Sequence, residues 1–168
     1  MAVVAGADAG LRAAGRATIV QLRAPGMPAS ELERAAVRLV ASTRVPVVIS
    51  SRCDVALACG AAGVNLPGRD ISPRDARLLV GDRLVGKSVH SVDAALAAEG
   101  DGADYLIFGP VWTSTSHPGG APAGIEALAR VAAAVRIPVL AIGGVTAARI
   151  PECLAAGAAG YAAIGMFE

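Results

Sequence analysis

The fold of this chain is decided near its carboxyl end by Ile137-Pro-Val-Leu-Ala-Ile-Gly-Gly-Val145 and then by Gly160-Tyr-Ala-Ala-Ile-Gly165. Each is a short apolar run that ends in glycine, and a helical pattern separates the two. In (β/α)₈ barrels, the loops after the seventh and eighth strands bind phosphate through backbone N–H groups. Glycine suits these loops because its bare backbone approaches an oxyanion closely. The order therefore predicts a phosphate site at Gly143, Gly144 and Gly165, with two ordinary strand-to-helix turns as the alternative.

Along the rest of the chain, apolar runs rich in Val and Ile alternate with helical patterns, which is typical of βαβ units and a parallel sheet. We predict strands at residues 17–22, 45–49, 63–66, 83–87, 105–109, 139–142 and 160–164. The predicted helices cover residues 30–42, 53–59, 72–79, 91–99, 124–135 and 147–156. The repeated plan of helix end, glycine, short loop and buried strand favours a barrel over an open doubly wound sheet.

A closed parallel barrel has eight strands, and the pattern supplies only seven. The Ala-rich segment 3–16 is predicted to be a helix, and the sequence ends at Glu168 directly after the last predicted strand. The predicted fold class is therefore α/β, a TIM (β/α)₈-type barrel that lacks the first strand and the last helix, in one domain over residues 1–168. Because unpaired sheet edges are a liability, we expect a distorted barrel, closure by a partner chain in a homodimer, or a marginally stable protein.

Composition excludes several classes of function. The net charge is +1 and no basic stripe with interleaved aromatic residues is present, so no nucleic-acid partner is expected. Although 54% of the residues are hydrophobic, no apolar run reaches the ~20 residues of a membrane helix, so no membrane partner is expected. The first residues lack a signal-peptide pattern, and Cys53, Cys59 and Cys153 show no CxxC spacing. These features predict a cytoplasmic protein with free thiols.

Seven stretches of this sequence, in this order, carry a family resemblance: Val20-Gln-Leu-Arg23, Arg52-Cys-Asp-Val-Ala-Leu-Ala58, Gly60-Ala-Ala-Gly-Val64, Gly86-Lys-Ser-Val-His-Ser91, Gly102-Ala-Asp-Tyr-Leu-Ile-Phe-Gly-Pro-Val111, the Ile137 stretch quoted above, and Leu154-Ala-Ala-Gly157. With them the chain resembles thiamine phosphate synthase and its sister family, the thiazole tautomerases, from residue 17 to residue 165. No single stretch is diagnostic, but the ordered set is specific.

The resemblance implies a transferase of thiamine biosynthesis. Such an enzyme joins hydroxymethylpyrimidine diphosphate to thiazole phosphate and releases diphosphate. The diphosphate leaves first, and the thiazole nitrogen then captures the pyrimidine cation. This chemistry needs Mg²⁺ and cationic side chains that stabilise the departing charge. The expected partner is therefore a small phosphorylated heterocycle, thiazole phosphate.

The resemblance assigns the pyrimidine and its diphosphate to the ends of the early strands. Gln21 and Arg23 match the residues that hold the pyrimidine and diphosphate, but the family's Lys two positions later is Pro25 here. The family's Asn-Asp-Arg at the third barrel strand appears as Ser50-Ser51-Arg52, so a pyrimidine-facing Asn and a Mg²⁺-binding Asp are both serine. A hydroxyl is a weak substitute for the carboxylate that Mg²⁺ prefers.

The remaining site residues follow later strands. Asp70 matches a second Mg²⁺ ligand, so Mg²⁺ is a possible cofactor with one expected ligand missing. Ser88 and His90 keep the family's Ser-x-His pattern and are candidate catalytic residues. The family has a loop of sequence Pro-Thr-x-Thr-Lys. In this chain the substrate-binding hydroxyls of that loop remain as Thr115 and Ser116, and the Lys is replaced by His117. The thiazole-phosphate contacts through Gly143, Gly144 and Gly165 depend on backbone and are kept.

Three changes thus fall on the diphosphate half of the site: Pro25, Ser51 and His117. Because loss of one transition-state donor commonly costs roughly 10²–10³ in rate, we expect synthase activity to be slow. A thiazole tautomerase requires fewer groups, namely a phosphate anchor and a general acid–base with a pKa near neutral. His90 and His117 are candidates for the acid–base. The tautomerase histidine of the family, however, follows Phe-Gly at the sixth strand, where this chain has Pro110. A non-catalytic thiazole-phosphate binder or decayed paralogue is the third alternative.

Two further residues have two possible roles each. The Lys87 ammonium either points into the barrel mouth and replaces a lost cation, or it turns outward into the helix layer. Trp112 either shields the mouth of the site and packs the loop, or it stacks on the thiazole ring.

Overall fold

A computed structural model describes residues 1–113 and 121–167 of the chain. Its sheet contains eight strands in sequence order. They are β1 (Ala2–Val4), β2 (Val20–Leu22), β3 (Val47–Ser50), β4 (Gly63–Leu66), β5 (Leu84–Val89), β6 (Tyr105–Phe108), β7 (Val139–Ile142) and β8 (Gly160–Ala162). Every neighbouring pair from β1 to β8 is parallel.

Helices follow the first seven strands. They are α1 (Ala7–Ala14), α2 (Ala29–Ser42), α3 (Cys53–Ala58), α4 (Pro73–Val80), α5 (Val92–Gly100), α6 (Ile125–Ala134) and α7 (Ile150–Ala155), with a 3₁₀ turn at Ala147–Arg149 before α7. The chain from β8 to Phe167 adds no helix, so the predicted TIM-type barrel without its last helix is confirmed. None of the helices in the described ranges is long and apolar enough to cross a membrane.

The prediction that the first strand is missing is wrong. Ala2, Val3 and Val4 form β1 and pair in register with Val20–Leu22. The helix predicted over 3–16 starts only at Ala7, after Gly6 in extended conformation. A three-residue strand is too short to show a period of its own, and the alanines that follow extend the helical pattern back over it.

Strand β1 also closes the barrel within the chain. Val3 donates its N–H to the Ala163 carbonyl at 2.9 Å, and Ala163 donates to the Met1 carbonyl at 3.2 Å. The Met1 amino group donates to the Tyr161 carbonyl at 2.7 Å. The expectations of a distorted barrel and of closure by a partner chain are therefore wrong, because Met1 and β1 are hydrogen-bonded to Tyr161 and Ala163 of the same chain. A homodimer stays a prediction, but it loses the unpaired edges on which it rested.

The core lies in two regions. Inside the barrel, apolar side chains from different strands meet in one cluster that includes Val3, Val48, Tyr105 and Ile107. Space there is tight, since a Cβ added at Gly86 would lie 2.1 Å from the Tyr105 ring. Outside the barrel, the strands bury their other face against the helices, as Leu22, Leu39 and Leu66 illustrate. This alternation directs every second strand residue toward the barrel axis.

Candidate functional site

A cavity of about 650 Å³ opens at the carboxyl ends of the strands. This is the end of a (β/α)₈ barrel at which active sites lie. Eight of the residues predicted from the sequence contribute to its wall: Gln21, Arg23, Ser50, Ser88, His90, Gly143, Gly144 and Gly165. The structure therefore brings together residues spread from β2 to the segment after β8.

Two other predicted site residues are not part of this wall, and three fall on residues that the structure does not describe. Ser51 is exposed, has φ 65° and does not line the cavity. Asp70 is half-buried and is not part of the cavity wall. Thr115, Ser116 and His117 lie outside the described residues. The roles assigned to all thirteen predicted site residues stay predictions.

The wall of the cavity combines apolar side chains from the barrel interior, such as Val3 and Ile107, with neutral polar groups. Gln21 on β2 is 3% exposed and Asn65 on β4 is 2% exposed, and both line the cavity. Asn65 Nδ2 donates to Ser88 Oγ at 3.2 Å, whereas no hydrogen-bond partner within the described ranges reaches Asn65 Oδ1. A buried amide oxygen without a partner is costly, so it favours a ligand that brings an N–H or O–H donor.

The charges on the cavity wall are of one sign. Arg23 and Arg149 line it, and His90 adds a titratable ring, but no Asp or Glu of the described chain does so. Arg23 extends β2, where its N–H donates to the Val4 carbonyl at 2.8 Å. A cavity lined by cations without carboxylates favours an anionic ligand.

His90 is oriented by the neighbouring strand end. Its Nδ1 is hydrogen-bonded to the Gly109 carbonyl oxygen, which can only accept. The proton of a neutral ring is therefore on Nδ1, and Nε2 carries the lone pair. A Cβ added at Gly68 would lie 3.5 Å from that Nε2, so Gly68 leaves room beside it. The ring is thus set to accept a proton at Nε2 in the cavity.

Two of the predicted phosphate glycines, Gly143 and Gly144, are packed against the loop after β6. Gly143 has φ 91° and Gly144 has φ 65°, which L side chains rarely adopt. A Cβ added at Gly144 would lie 2.6 Å from the Thr113 carbonyl oxygen. Val111 donates to the Ile142 carbonyl at 2.9 Å, and Trp112 donates to the Gly143 carbonyl at 3.0 Å. These bonds fix the glycine turn, which lines the cavity together with Gly165.

Lys87 turns away from the cavity. Its Nζ donates to the carbonyls of Asp70 and Ile71, each at 3.1 Å, in the segment before α4. Burial lowers the pKa of this ammonium, and the nearby Asp70 opposes that change. Because Ser88 lines the cavity and successive strand residues point to opposite faces, Lys87 does not replace a cation in the mouth.

Of the two carboxylates that the resemblance assigns to Mg²⁺, the chain keeps one, Asp70, and Mg²⁺ binding stays a prediction. Asp70 accepts the Ile71 N–H at 2.8 Å with Oδ1, and its Oδ2 is buried without a hydrogen-bond partner. Residues 1–113 and 121–167 contain no group of three His, Cys, Asp or Glu side chains placed to hold a metal. Ser51 offers a hydroxyl in place of the second carboxylate.

Known proteins share this architecture and sequence. A profile of the family described as thiamine monophosphate synthase matches residues 5–167. The chain belongs to this family.

Its relatives in the thiamine monophosphate synthase family cover most of the chain. A protein of Geobacter sulfurreducens is 44% identical over 98% of this chain and 77% of its own length. A thiamine-phosphate synthase of Methanoculleus marisnigri is 40% identical over 92% of this chain and 75% of its own length. The solved structure of a thiamine phosphate pyrophosphorylase from Pyrococcus furiosus matches with a TM-score of 0.88 at 32% identity, over 98% of this chain and 83% of that one. The family resemblance and the barrel are confirmed.

Four polar residues on the cavity wall are not among the site residues predicted from the sequence. They are Asn65, Thr113, Thr146 and Arg149. Asn65 is the one polar residue in the strand Gly63-Val-Asn-Leu66, which is a signal that it faces inward. Thr146 and Arg149 follow the Gly-Gly turn, but the sequence gives no signal for the direction of their side chains.

Proposed function

We propose that the protein is a thiamine-phosphate synthase, which joins hydroxymethylpyrimidine diphosphate to thiazole phosphate. One observation carries this proposal: a single cavity unites Gln21, Arg23 and Ser88 with the bare glycine turn at Gly143 and Gly144. One end offers neutral polar groups and a cation, and the other offers a backbone anchor. The cavity therefore has a place for each of two phosphorylated substrates.

The polar end takes the pyrimidine diphosphate in this proposal. Gln21, Asn65 and Ser88 bind the pyrimidine ring through its ring nitrogens and amino group. Arg23 binds the diphosphate, whose charge grows as the C–O bond to the pyrimidine methylene breaks. The electron pair of the C–O bond leaves with the diphosphate. A guanidinium placed beside the diphosphate lowers the activation barrier to this ionisation.

The glycine end takes the thiazole phosphate. The backbone at Gly143, Gly144 and Gly165 anchors the phosphate and points the thiazole nitrogen at the methylene cation. The nitrogen lone pair forms the new C–N bond, so the products are thiamine phosphate and diphosphate. No general base is needed, because the attacking nitrogen carries no proton. This chemistry is expected to be slow, since Pro25 and Ser51 supply neither the cation nor the carboxylate that the family uses.

Product formation tests the proposal. The protein is incubated with both substrates, with and without Mg²⁺, and thiamine phosphate is measured as its fluorescent oxidation product. Arg23→Gln is compared with Arg34→Gln, whose arginine is exposed on α2 and away from the cavity. We expect product from the unaltered protein and from Arg34→Gln, and a loss of roughly 10²-fold or more in Arg23→Gln. Absence of product under every condition would refute synthase activity.

The orientation of His90 favours a second candidate, a tautomerase acting on thiazole carboxylate phosphate. The Gly109 carbonyl holds Nδ1, so Nε2 is free to take a proton from the bound ring and return it at another position. Isomerisation is followed by the change in ring absorbance, with His90→Gln against the unaltered protein. Turnover that disappears in His90→Gln would support this candidate, and no turnover in the unaltered protein would refute it.

A further inference from the structure

Arg149 is the cation closest in the chain to the phosphate glycines. It ends the 3₁₀ turn Ala147–Arg149 after β7 and lines the cavity with Gly143, Gly144 and Gly165. Its Nη1 donates to the Gly144 carbonyl at 2.7 Å. Its Cζ lies 4.8 Å from the centroid of the Trp112 ring, in a cation–π contact. The guanidinium is therefore held at one edge and on one face.

This double contact leaves most of the guanidinium available. An arginine has five N–H donors, and the bond to Gly144 uses one of them. The aromatic ring covers a face and takes none. No ion pair joins Arg149 to a carboxylate in the described part of the chain, whereas Arg38, Arg52, Arg74 and Arg77 each have one. Arg149 thus has an uncompensated charge and free donors at the glycine turn.

Its position is also fixed before any ligand arrives. An arginine free in solvent loses rotamer entropy when it binds an anion, and a side chain that is already held loses less. The backbone of Trp112 is held as well, since its backbone N–H donates to the Gly143 carbonyl at 3.0 Å. The same turn that offers bare backbone to a phosphate therefore places a guanidinium beside it.

We propose that Arg149 is a specificity-determining residue that makes the cavity select phosphorylated over unphosphorylated thiazole. Trp112 acts through Arg149 as a positioning residue. The identity of the ring rests on the proposed synthase function, while the preference for a phosphate monoester does not. Backbone N–H groups alone bind a phosphate through its acceptors, and a guanidinium adds charge-assisted bonds that a neutral alcohol cannot match.

Calorimetric titration with thiazole phosphate, thiazole alcohol and inorganic phosphate tests the proposal. Arg149→Met is compared with Arg149→Lys and with Arg130→Met, which removes an exposed arginine of α6 away from the cavity. In Arg149→Met we expect the dissociation constants of thiazole phosphate and inorganic phosphate to rise 10- to 100-fold, which is the size of a charge-assisted bond. The affinity for thiazole alcohol is expected to change less than about twofold. Arg149→Lys keeps the charge but loses the planar guanidinium that stacks on Trp112, so its loss of phosphate affinity is expected to be intermediate. Arg130→Met is expected to leave all three affinities unchanged.

A parallel loss of affinity for phosphate and alcohol would overturn the proposal, because it would show that Arg149 only supports the Gly144 turn. Unchanged phosphate affinity in both Arg149 variants would overturn it too, as would an unaltered protein that binds neither phosphate probe. If Arg149→Met unfolds, Arg149→Lys and Trp112→Leu decide, since both are expected to weaken phosphate more than alcohol. A protein that passes these tests but makes no thiamine phosphate would refute the proposed function and leave this inference standing.

Discussion

Asn65 and Ser88 are joined across the neighbouring strands β4 and β5 by a hydrogen bond of 3.2 Å from Asn65 Nδ2 to Ser88 Oγ. The bond fixes the amide so that Oδ1, buried and without a partner among the described residues, remains for a ligand. Two polar groups on adjacent strands are thus organised inside a barrel whose deeper layer is apolar.

The coupling between these two residues is measurable in unfolding experiments. Ser88→Ala leaves Asn65 Nδ2 buried without an acceptor and is expected to cost about 1–3 kcal/mol of the free energy of unfolding. Asn65→Leu combined with Ser88→Ala removes both partners, so the double variant is expected to lose less than the sum of the single losses. Urea unfolding of the four proteins checks this, and strictly additive losses would contradict the bond.

Two of the three predicted phosphate glycines, Gly144 and Gly165, differ in what an added methyl group meets. At Gly144 it meets φ 65° and the Thr113 carbonyl oxygen at 2.6 Å, whereas at Gly165 nothing lies within 4 Å. Gly144→Ala is therefore expected to lower the free energy of unfolding by roughly 1–3 kcal/mol, and Gly165→Ala by less than about 0.5 kcal/mol. Thermal unfolding compares them, and equal melting temperatures would refute this difference.

Arg52 and Asp54 form an ion pair outside the cavity. Arg52 Nε donates to Asp54 Oδ1 at 2.8 Å and Arg52 Nη2 donates to Asp54 Oδ2, and these two bonds lower the pKa of Asp54 to about 2. The stabilising effect of this carboxylate is therefore present above pH 3.8 and is lost as the pH falls toward 2. Because both side chains are exposed, the effect on stability is small. Arg52→Gln is expected to return the Asp54 pKa toward its ordinary value in an NMR titration, and an unmoved pKa would contradict the pairing.

Lys87 is predicted to be structural. Lys87→Met removes the donor to the Asp70 and Ile71 carbonyls, so we expect lower stability and unchanged affinity for thiazole phosphate. Burial lowers the pKa of Lys87 below 10.5, so this group's contribution to stability rises as the pH increases toward 10.5. The stability difference between the unaltered protein and Lys87→Met should therefore grow at alkaline pH. Weaker phosphate binding in Lys87→Met would show that its ammonium acts in the cavity.

The longer elements of the fold could be predicted from the sequence, but the first strand could not. Strands β6 and β7 are continuous apolar runs bounded by glycine or proline, so their positions follow from composition. The three residues of β1 precede an Ala-rich helix and have too few neighbours to reveal their period. Their place depends on partners far away in the chain, above all Ala163.

The candidate site could be predicted wherever strand ends determine it. Gln21, Ser88 and the glycine turn follow recognisable strands, and all of them line the cavity. Arg149 could not be predicted, because its direction depends on the 3₁₀ turn after β7 and on Trp112 from another loop. The direction of the Lys87 side chain could not be predicted for a related reason, because it depends on the register of β5 in the sheet.

The most direct test of the account is calorimetric titration of the protein with thiazole phosphate and then, in the same cell, with hydroxymethylpyrimidine diphosphate in the presence of Mg²⁺. If one cavity holds both substrates, each ligand binds with one-to-one stoichiometry, and saturation with the first does not block the second. Binding of thiazole phosphate alone would contradict the synthase and leave a tautomerase or a binder. Binding of neither would contradict the assignment of this cavity as the functional site.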